Sequence, residues 1–119
     1  MQVGIDILEI SRFTEIEKSE TKLKKMFTEN EISYFFKYTE KLSHIAGTFC
    51  AKEAFVKALK TGFCKEVSSL DVEILRDEKG APYINTELEK VKNLLGEDKK
   101  VDISISHSDT MATAICIIY

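Results

Sequence analysis

The chain has one proline, five glycines and no tryptophan in its 119 residues. So little proline and glycine leaves little material for flexible linkers, and no repeat or low-complexity segment interrupts the sequence. We therefore predict a single domain spanning residues 1–119. No apolar run approaches the roughly 20 residues of a membrane-spanning helix, and the opening MQVGIDILEI lacks a basic leader and a cleavage site. These absences predict a cytoplasmic protein without a membrane segment.

A basic excess is also missing. The 17 Lys and Arg residues are outnumbered by 20 Asp and Glu residues, and the net charge of −3 argues against a nucleic-acid partner. Cys50, Cys64 and Cys116 show neither CxxC spacing nor a neighbouring histidine pair. An odd number of cysteines in such a pattern predicts reduced, mainly buried thiols and not a disulfide or zinc framework.

Local patterns predict helices in the first half of the chain and antiparallel strands in the second, with one strand at the very start. Thr28 with Glu31, and Thr86 with Glu89, have the spacing of a capping box and so predict two helix starts. A further helix is expected from about residue 41 to residue 60, stopped by Gly62. Strands are expected at VGIDIL, LDVEILRD, PYI, VDISIS and MATAICIIY. The fold class is α+β, with a small antiparallel sheet packed against helices.

The segment GTFCAKEAFVKALKTG, residues 47–62, has an unusual distribution of side chains. At about 100° per residue, Glu53, Lys57 and Lys60 share a sector of roughly 60° on a helix. Small residues occupy the opposite side, where they would allow close packing; they are Gly47, Ala51, Ala54 and Ala58. Glu53 and Lys57 also have the i,i+4 spacing of an ordinary surface ion pair, so the pattern alone leaves a structural interpretation open.

Two other residues could contribute to chemistry. Asp6 interrupts an apolar strand, where a carboxylate costs free energy unless a cation or a donor compensates it; it could equally be an edge-strand carboxylate or a cap. His107 lies in SISHS at the end of a strand and could be a plain turn residue. Two carboxylates suit Mg²⁺, which often completes its shell with water and substrate phosphates. Neither a P-loop nor a dinucleotide-binding glycine motif is present.

Four motifs occur in a recognisable order: GIDILEI, AGTFCAKEAFVKAL, DEKGAPYI and ISISHSDTMATA. In this order, and over nearly the whole chain, they resemble the holo-acyl-carrier-protein synthases, the short class of 4′-phosphopantetheinyl transferases. The resemblance implies an α+β fold that assembles as a homotrimer with active sites in the clefts between subunits. It also implies transfer of 4′-phosphopantetheine from coenzyme A to a serine of apo acyl carrier protein, for fatty acid biosynthesis, with release of adenosine 3′,5′-bisphosphate.

The resemblance assigns roles to the reactive residues. Asp6 and Glu53 are expected to hold Mg²⁺ on the pyrophosphate of coenzyme A, and Lys57 to contact that pyrophosphate as the bond breaks. Glu53 and Lys57 are thus the expected catalytic residues. Either Glu53 or a metal-bound water would take the serine proton.

The remaining site assignments concern the two substrates. Gly62, Pro82 and His107, together with Lys57, are expected to bind coenzyme A, which serves as co-substrate. Arg12, after the first strand, is expected to meet the acidic carrier protein. The segment that follows Arg12 mixes basic and acidic residues and could instead be a solvated amphipathic helix.

The chain departs from the family pattern at one point. Where the family often has GRW, this sequence has Gly47, Thr48 and Phe49. A cationic phosphate contact at Thr48 is therefore absent, and its role could pass to Lys41 or Lys52 or be lost.

Two other functions stay open. A metal-dependent nuclease could use Asp6, Glu53 and a lysine, although KEAFVK is predicted to be helical and the acidic balance disfavours DNA. A non-catalytic module that binds coenzyme A or a carrier protein would need Lys57 and Arg12 but not both carboxylates.

Overall fold

The computed structural model describes residues 1–119 and has the predicted α+β architecture. The helices are α1 (Thr14–Glu17), α2 (Glu20–Met26), α3 (Glu29–Phe35), α4 (Leu42–Ala58) and α5 (Glu89–Leu95). The strands are β1 (Gln2–Glu9), β2 (Ile74–Arg76), β3 (Pro82–Ile84), β4 (Val101–His107) and β5 (Met111–Ile118). Short 3₁₀ turns occupy Ile10–Phe13 and Ser69–Asp71. None of the helices combines the length and the apolar character needed to cross a membrane.

The strands form two antiparallel units. β1, β5 and β4 make a three-stranded sheet in that order, and β2 pairs with β3 in a separate two-stranded ribbon. The turn between β2 and β3 contains Gly80 at a φ of 88°, a conformation that glycine adopts without steric cost. In the larger sheet Asp6 lies opposite Ala114, which in turn lies opposite Ile105. Asp6 therefore sits in the middle of the strand, well away from the sheet's ends.

Helix α4 packs on the sheet at very short range. A Cβ atom at Gly4 of β1 would lie 2.0 Å from the Ala54 carbonyl oxygen and 2.5 Å from the Ala58 nitrogen. The helix backbone thus touches the strand backbone, which only glycine permits. Gly47 and Ala51 are also buried, so the predicted close packing through small residues is confirmed.

The expected charged face of α4 is present but narrow, since Glu53 and Lys57 are the residues between Ile45 and Ala58 that are not buried. The helix is buried nearly all round from Ile45 to Ala58, and even Lys52 is fully enclosed. Its Nζ lies 2.6 Å from a Glu31 carboxylate oxygen, and it also donates to the carbonyls of Met26 and Ser69 at 3.0 and 2.6 Å. A buried charge is tolerated when it is paired and hydrogen-bonded in this way. Lys52 is therefore committed to the core and cannot replace the cation missing at Thr48.

The predicted helix boundaries need two corrections. Helix α4 ends at Ala58, and the left-handed conformation occurs both at Gly62, with a φ of 62°, and earlier at Lys60, with a φ of 69°. The Lys60 amide donates to the Lys57 carbonyl and the Thr61 amide to the Val56 carbonyl, which is the Schellman pattern. Lys60 therefore does not share a helix face with Glu53 and Lys57.

The second correction concerns the helix starts. The capping box of Thr28 and Glu31 at the start of α3 is confirmed. The one expected at Thr86 and Glu89 is wrong, because α5 starts after Leu88, which supplies no side-chain cap.

The outer face of the three-stranded sheet is apolar and exposed. Val3, Ile5 and Ile7 of β1 are 46%, 62% and 65% exposed, and Ile115 beside Ile5 on β5 is 37% exposed. The opposite face of β1, which carries Gly4, Asp6 and Leu8, is the one that packs on α4. Contiguous apolar side chains on an exposed face are typical of a surface that meets another molecule.

Candidate functional site

The inner face of β1 and the C-terminal half of α4 bring three of the predicted residues together. Lys57 Nζ donates to Asp6 Oδ1 at 2.8 Å. The Asp6 side chain is only 13% exposed, whereas that of Lys57 is 49% exposed. The hydrogen bond to Asp6 is the main cause that raises the pKa of Lys57. The Lys57 ammonium is thus held by Asp6, while about half of the side chain is open to solvent.

A buried thiol completes the surroundings of Asp6. Cys50 Sγ donates to Asp6 Oδ2 at 3.4 Å, so each carboxylate oxygen of Asp6 has one donor. Burial, followed by the charge of Asp6, raises the pKa of Cys50 to about 12. The protonated thiol therefore remains a donor at neutral pH and orients the carboxylate.

Glu53 faces the same cluster without a fixed partner of its own. Its pKa is raised by burial first and by the charge of Asp6 second, while Lys57 and Arg12 lower it. The ordinary ion pair between Glu53 and Lys57 is not formed, because Lys57 reaches across to Asp6 instead. Glu53 makes no hydrogen bond or ion pair, so its carboxylate oxygens are available to a ligand.

Asp6 and Glu53 offer two carboxylates to a metal ion. No group of three or more His, Cys, Asp and Glu side chains is arranged to hold a metal alone. Mg²⁺, however, is commonly bound by one or two carboxylates with waters and substrate phosphates. Burial first and the charge of Asp6 second raise the pKa of Glu53, and a cation beside the two carboxylates would oppose both effects. The pair therefore fits Mg²⁺ only in the presence of water or a phosphate substrate.

A second polar cluster surrounds the N-terminal half of α4. Arg76 of β2 donates through Nη2 to Thr48 Oγ1 at 3.0 Å, and its guanidinium carbon lies 4.4 Å from the centre of the Tyr34 ring. The Tyr34 hydroxyl is 3.3 Å from His44 Nδ1. Burial, Arg76 and His107, in that order, lower the pKa of His44. Arg76 is thus the cation beside Thr48.

The two clusters lie on different sides of α4. Thr48 and Glu53 are separated by about 140° around the helix axis at 100° per residue. The buried helix therefore lies between the two clusters.

Of the other predicted residues, Arg12 lies beside the Asp6 cluster and the rest lie outside it. Arg12 lies in the 3₁₀ turn after β1, with its guanidinium 5.6 Å from the Phe49 ring centre, and its charge reaches Glu53. Gly62 follows α4, Pro82 begins β3 opposite Arg76, and His107 ends β4. None of these three shares a hydrogen bond or ion pair with the Asp6 cluster.

Sequence reasoning missed Arg76 and the contact of Cys50 with Asp6. One signal for Arg76 was available, because strand alternation places Arg76 on the same face as the buried Ile74. An arginine that points inward from a short strand must find a partner. Nothing in the sequence identified that partner as Thr48.

A model of the 4′-phosphopantetheinyl transferase superfamily matches residues 2–117. A curated relative, the holo-[acyl-carrier-protein] synthase of Clostridium tetani, is 43% identical over 120 residues, covering 98% of this chain and 93% of the relative. Its counterpart from Halalkalibacterium halodurans is 41% identical and covers 97% of this chain and 92% of the relative.

Solved structures agree with these matches. The holo-[acyl-carrier-protein] synthase of Helicobacter pylori, in complex with coenzyme A, superposes with a TM-score of 0.81 at 35% identity, covering 98% of this chain and 99% of that one. The Bacillus anthracis protein, in complex with coenzyme A (3′,5′-ADP), gives a TM-score of 0.81 at 34% identity, with coverages of 98% and 94%.

Proposed function

The chain belongs to the 4′-phosphopantetheinyl transferase superfamily, and we propose that it transfers 4′-phosphopantetheine from coenzyme A to a serine of apo acyl carrier protein. We assign this activity to one domain formed by residues 1–119. The observation that carries the proposal is the cluster of Asp6, Glu53 and Lys57, in which an unpartnered carboxylate faces a charged, half-exposed lysine. Relatives that match over nearly their whole length are holo-[acyl-carrier-protein] synthases.

The reaction is a phosphoryl transfer. The serine oxygen forms a bond to the phosphorus that bears pantetheine, and the bond from that phosphorus to the bridging oxygen of the pyrophosphate breaks. Adenosine 3′,5′-bisphosphate leaves with the electron pair. Lys57 contacts the pyrophosphate and stabilises the charge that grows on the leaving group. The serine proton is taken by Glu53 or by a water beside it.

Asp6 and Glu53 are the residues that would hold Mg²⁺. When bound, Mg²⁺ supplies charge neutralisation at the pyrophosphate. Cys50 and Lys57 fix both oxygens of Asp6 in advance, while Glu53 stays free to adjust. About half of the Lys57 side chain is exposed, so its ammonium would be accessible to a phosphate beside Asp6.

We propose a homotrimer with active sites shared between subunits. Two features support it: the exposed apolar face of β1 and β5, and the position of the two polar clusters on different sides of α4. Light scattering at micromolar concentration should give about three times the chain mass of 13.5 kDa. A strict monomer would contradict the shared site.

Arg12 is proposed as a contact for the carrier protein, because it is an exposed cation beside the cluster. Arg12→Ala should raise the Michaelis constant for the carrier more than that for coenzyme A, and most at low salt. His107→Ala should do the reverse if His107 contacts coenzyme A. A cytoplasmic location and a role in fatty acid biosynthesis stay predictions from the sequence.

The proposed transfer is tested by intact-mass spectrometry. Apo acyl carrier protein is incubated with the protein, coenzyme A and Mg²⁺, and the product should gain about 340 Da on one serine, the mass of the covalent phosphopantetheine modification. The same carrier with its acceptor serine changed to alanine is the control. An unchanged carrier mass would favour a non-catalytic binding module. Cleavage of added DNA in place of transfer would favour a nuclease.

A further inference from the structure

We propose that Arg76 is the cation that binds the 3′-phosphate of coenzyme A in this chain, supplied by β2 because α4 carries the uncharged Thr48. The inference rests on the proposed function, since it assigns a residue to one end of the proposed co-substrate. It makes Arg76 the residue by which the protein distinguishes coenzyme A from 3′-dephospho-coenzyme A.

The guanidinium of Arg76 is held in a defined position. Its Nη2 donates to Thr48 Oγ1 at 3.0 Å, and the group lies over the Tyr34 ring at 4.4 Å. Tyr34 is itself packed edge-on against Phe35, whose side chain is fully buried. An arginine fixed by a hydrogen bond and by stacking loses little freedom when it binds a ligand, which favours tight binding.

Arg76 has donors that the protein does not satisfy. Nη1 is buried and has no hydrogen-bond partner, and it is the one buried side-chain nitrogen or oxygen in this condition. The guanidinium cannot deprotonate, so losing its charge cannot relieve the free-energy cost of burying an unsatisfied donor. Arg76 also has no carboxylate partner, unlike Lys52 or Lys57. A buried, unpaired guanidinium nitrogen calls for an acceptor from outside the chain.

The surroundings favour an anion. His44 and His107 lie close enough for their charges to interact, and Arg76 also acts on His44. After burial, Arg76 and His107 lower the pKa of His44, and no carboxylate raises it. Arginine can form two parallel hydrogen bonds with a phosphate. It therefore suits a phosphate monoester better than the point charge of a lysine ammonium does. Pro82, an expected coenzyme A contact, is directly opposite Arg76 on β3.

The direct test measures nucleotide binding by calorimetry. Adenosine 3′,5′-bisphosphate and adenosine 5′-monophosphate are titrated into the wild type, Arg76→Gln and Lys90→Gln. Lys90 is an exposed α5 lysine outside every ion pair, so its variant matches the charge change. Arg76→Gln should weaken binding of the bisphosphate by about tenfold to a hundredfold, the loss of one or two charge-assisted hydrogen bonds. Binding of the monophosphate should change less than about twofold on the same reasoning.

Three results would overturn the assignment. Equal weakening of both nucleotides by Arg76→Gln would make Arg76 a structural residue. No weakening of either would remove it from the nucleotide site. Inorganic phosphate that binds the wild type as tightly as the bisphosphate, and depends equally on Arg76, would make this a free-phosphate site.

A second variant and a kinetic measurement complete the design. Arg76→Lys keeps the charge but loses the planar pair of donors, so its preference for the bisphosphate should fall between those of the wild type and Arg76→Gln. A preference equal to the wild type would contradict the paired contact, even if Arg76→Gln does not fold. With active protein, Arg76→Gln should raise the Michaelis constant for coenzyme A and leave that for 3′-dephospho-coenzyme A nearly unchanged. Failure of the proposed transfer would show as no product in the wild type, whereas the calorimetric result for Arg76 stands independently.

Discussion

Replacing Gly4 by alanine should separate the two elements that carry Asp6 and Glu53. The new Cβ would lie 2.0 Å from the Ala54 carbonyl oxygen and 2.5 Å from the Ala58 nitrogen. Both are backbone atoms of α4 and cannot turn aside as a side chain would. To reach an allowed distance, β1 and α4 must move apart by at least about 1 Å, and a close-packed interior transmits such a shift.

The expected cost follows from that displacement. Overpacking a well-filled core typically costs about 1–3 kcal/mol, and a clash with two backbone atoms belongs at the upper end, about 3 kcal/mol. For a chain of this size that corresponds to a fall in melting temperature of about 12 °C. Asp6 lies two residues beyond Gly4, and Glu53 directly precedes Ala54. A shift of about 1 Å between them should lower turnover on the order of a hundredfold.

Gly47→Ala is the matched control. There the new Cβ would meet Ile105 Cγ2 at 3.0 Å, the end of a side chain that can adjust. The alanine also gains about 1 kcal/mol of helix propensity, so the net change in unfolding free energy should stay within about 1 kcal/mol. Urea denaturation and turnover of both variants are the measurements. A Gly4→Ala protein as stable and as active as Gly47→Ala would refute the close approach of β1 and α4.

Three further outcomes are expected. Lys52→Met should lower the unfolding free energy by about 3–5 kcal/mol, because Glu31 is left as an unpaired buried charge, and adding Glu31→Gln should recover part of that loss in urea denaturation. Lys60→Gly should raise the unfolding free energy by about 0.5–1 kcal/mol, since the left-handed φ of 69° strains lysine but not glycine. No gain in urea denaturation would contradict that strain. The folded-state pKa of Glu53 is raised, so its charge destabilises the fold above its ordinary pKa and has no effect below it. Glu53→Gln should therefore melt higher than the wild type at pH 7 without Mg²⁺ and equally near pH 3.5. A lower melting temperature at pH 7 would contradict the cost of burying the Glu53 charge beside Asp6.

Local patterns were enough for much of the fold. Alternating strands, the capping box of Thr28 with Glu31 and the small residues of α4 each depend on neighbours within a few positions, and each is present. The predicted strand LDVEILRD is shorter than expected, because it is a strand only at Ile74–Arg76 and begins in a 3₁₀ turn. The end of α4 was placed too late, because a lysine can take the left-handed position when the Schellman hydrogen bonds compensate its strain. The start of α5 was misplaced because Thr86 lies before the helix, outside its first turn.

The site was predictable only in part. Asp6 and Glu53 are 47 residues apart, and no spacing rule joins a strand residue to a helix residue; the family resemblance supplied that link. The contacts of Lys52 with Glu31 and of Arg76 with Thr48 span 21 and 28 positions and depend on how long side chains cross the core. Such contacts are set by the packing of α3, α4 and β2, which periodicity does not describe.

The most direct test of the proposed transfer is turnover against Mg²⁺ concentration for the wild type, Asp6→Asn, Glu53→Gln and the double variant. Either single change should lower turnover by orders of magnitude, because the pyrophosphate charge is then poorly neutralised in the transition state. The double variant should be little worse than either single one, since the two carboxylates act as a unit on one ion. If Glu53→Gln had turnover near that of the wild type at every Mg²⁺ concentration, the mechanism would be contradicted. Glu53 would then be an ordinary surface carboxylate.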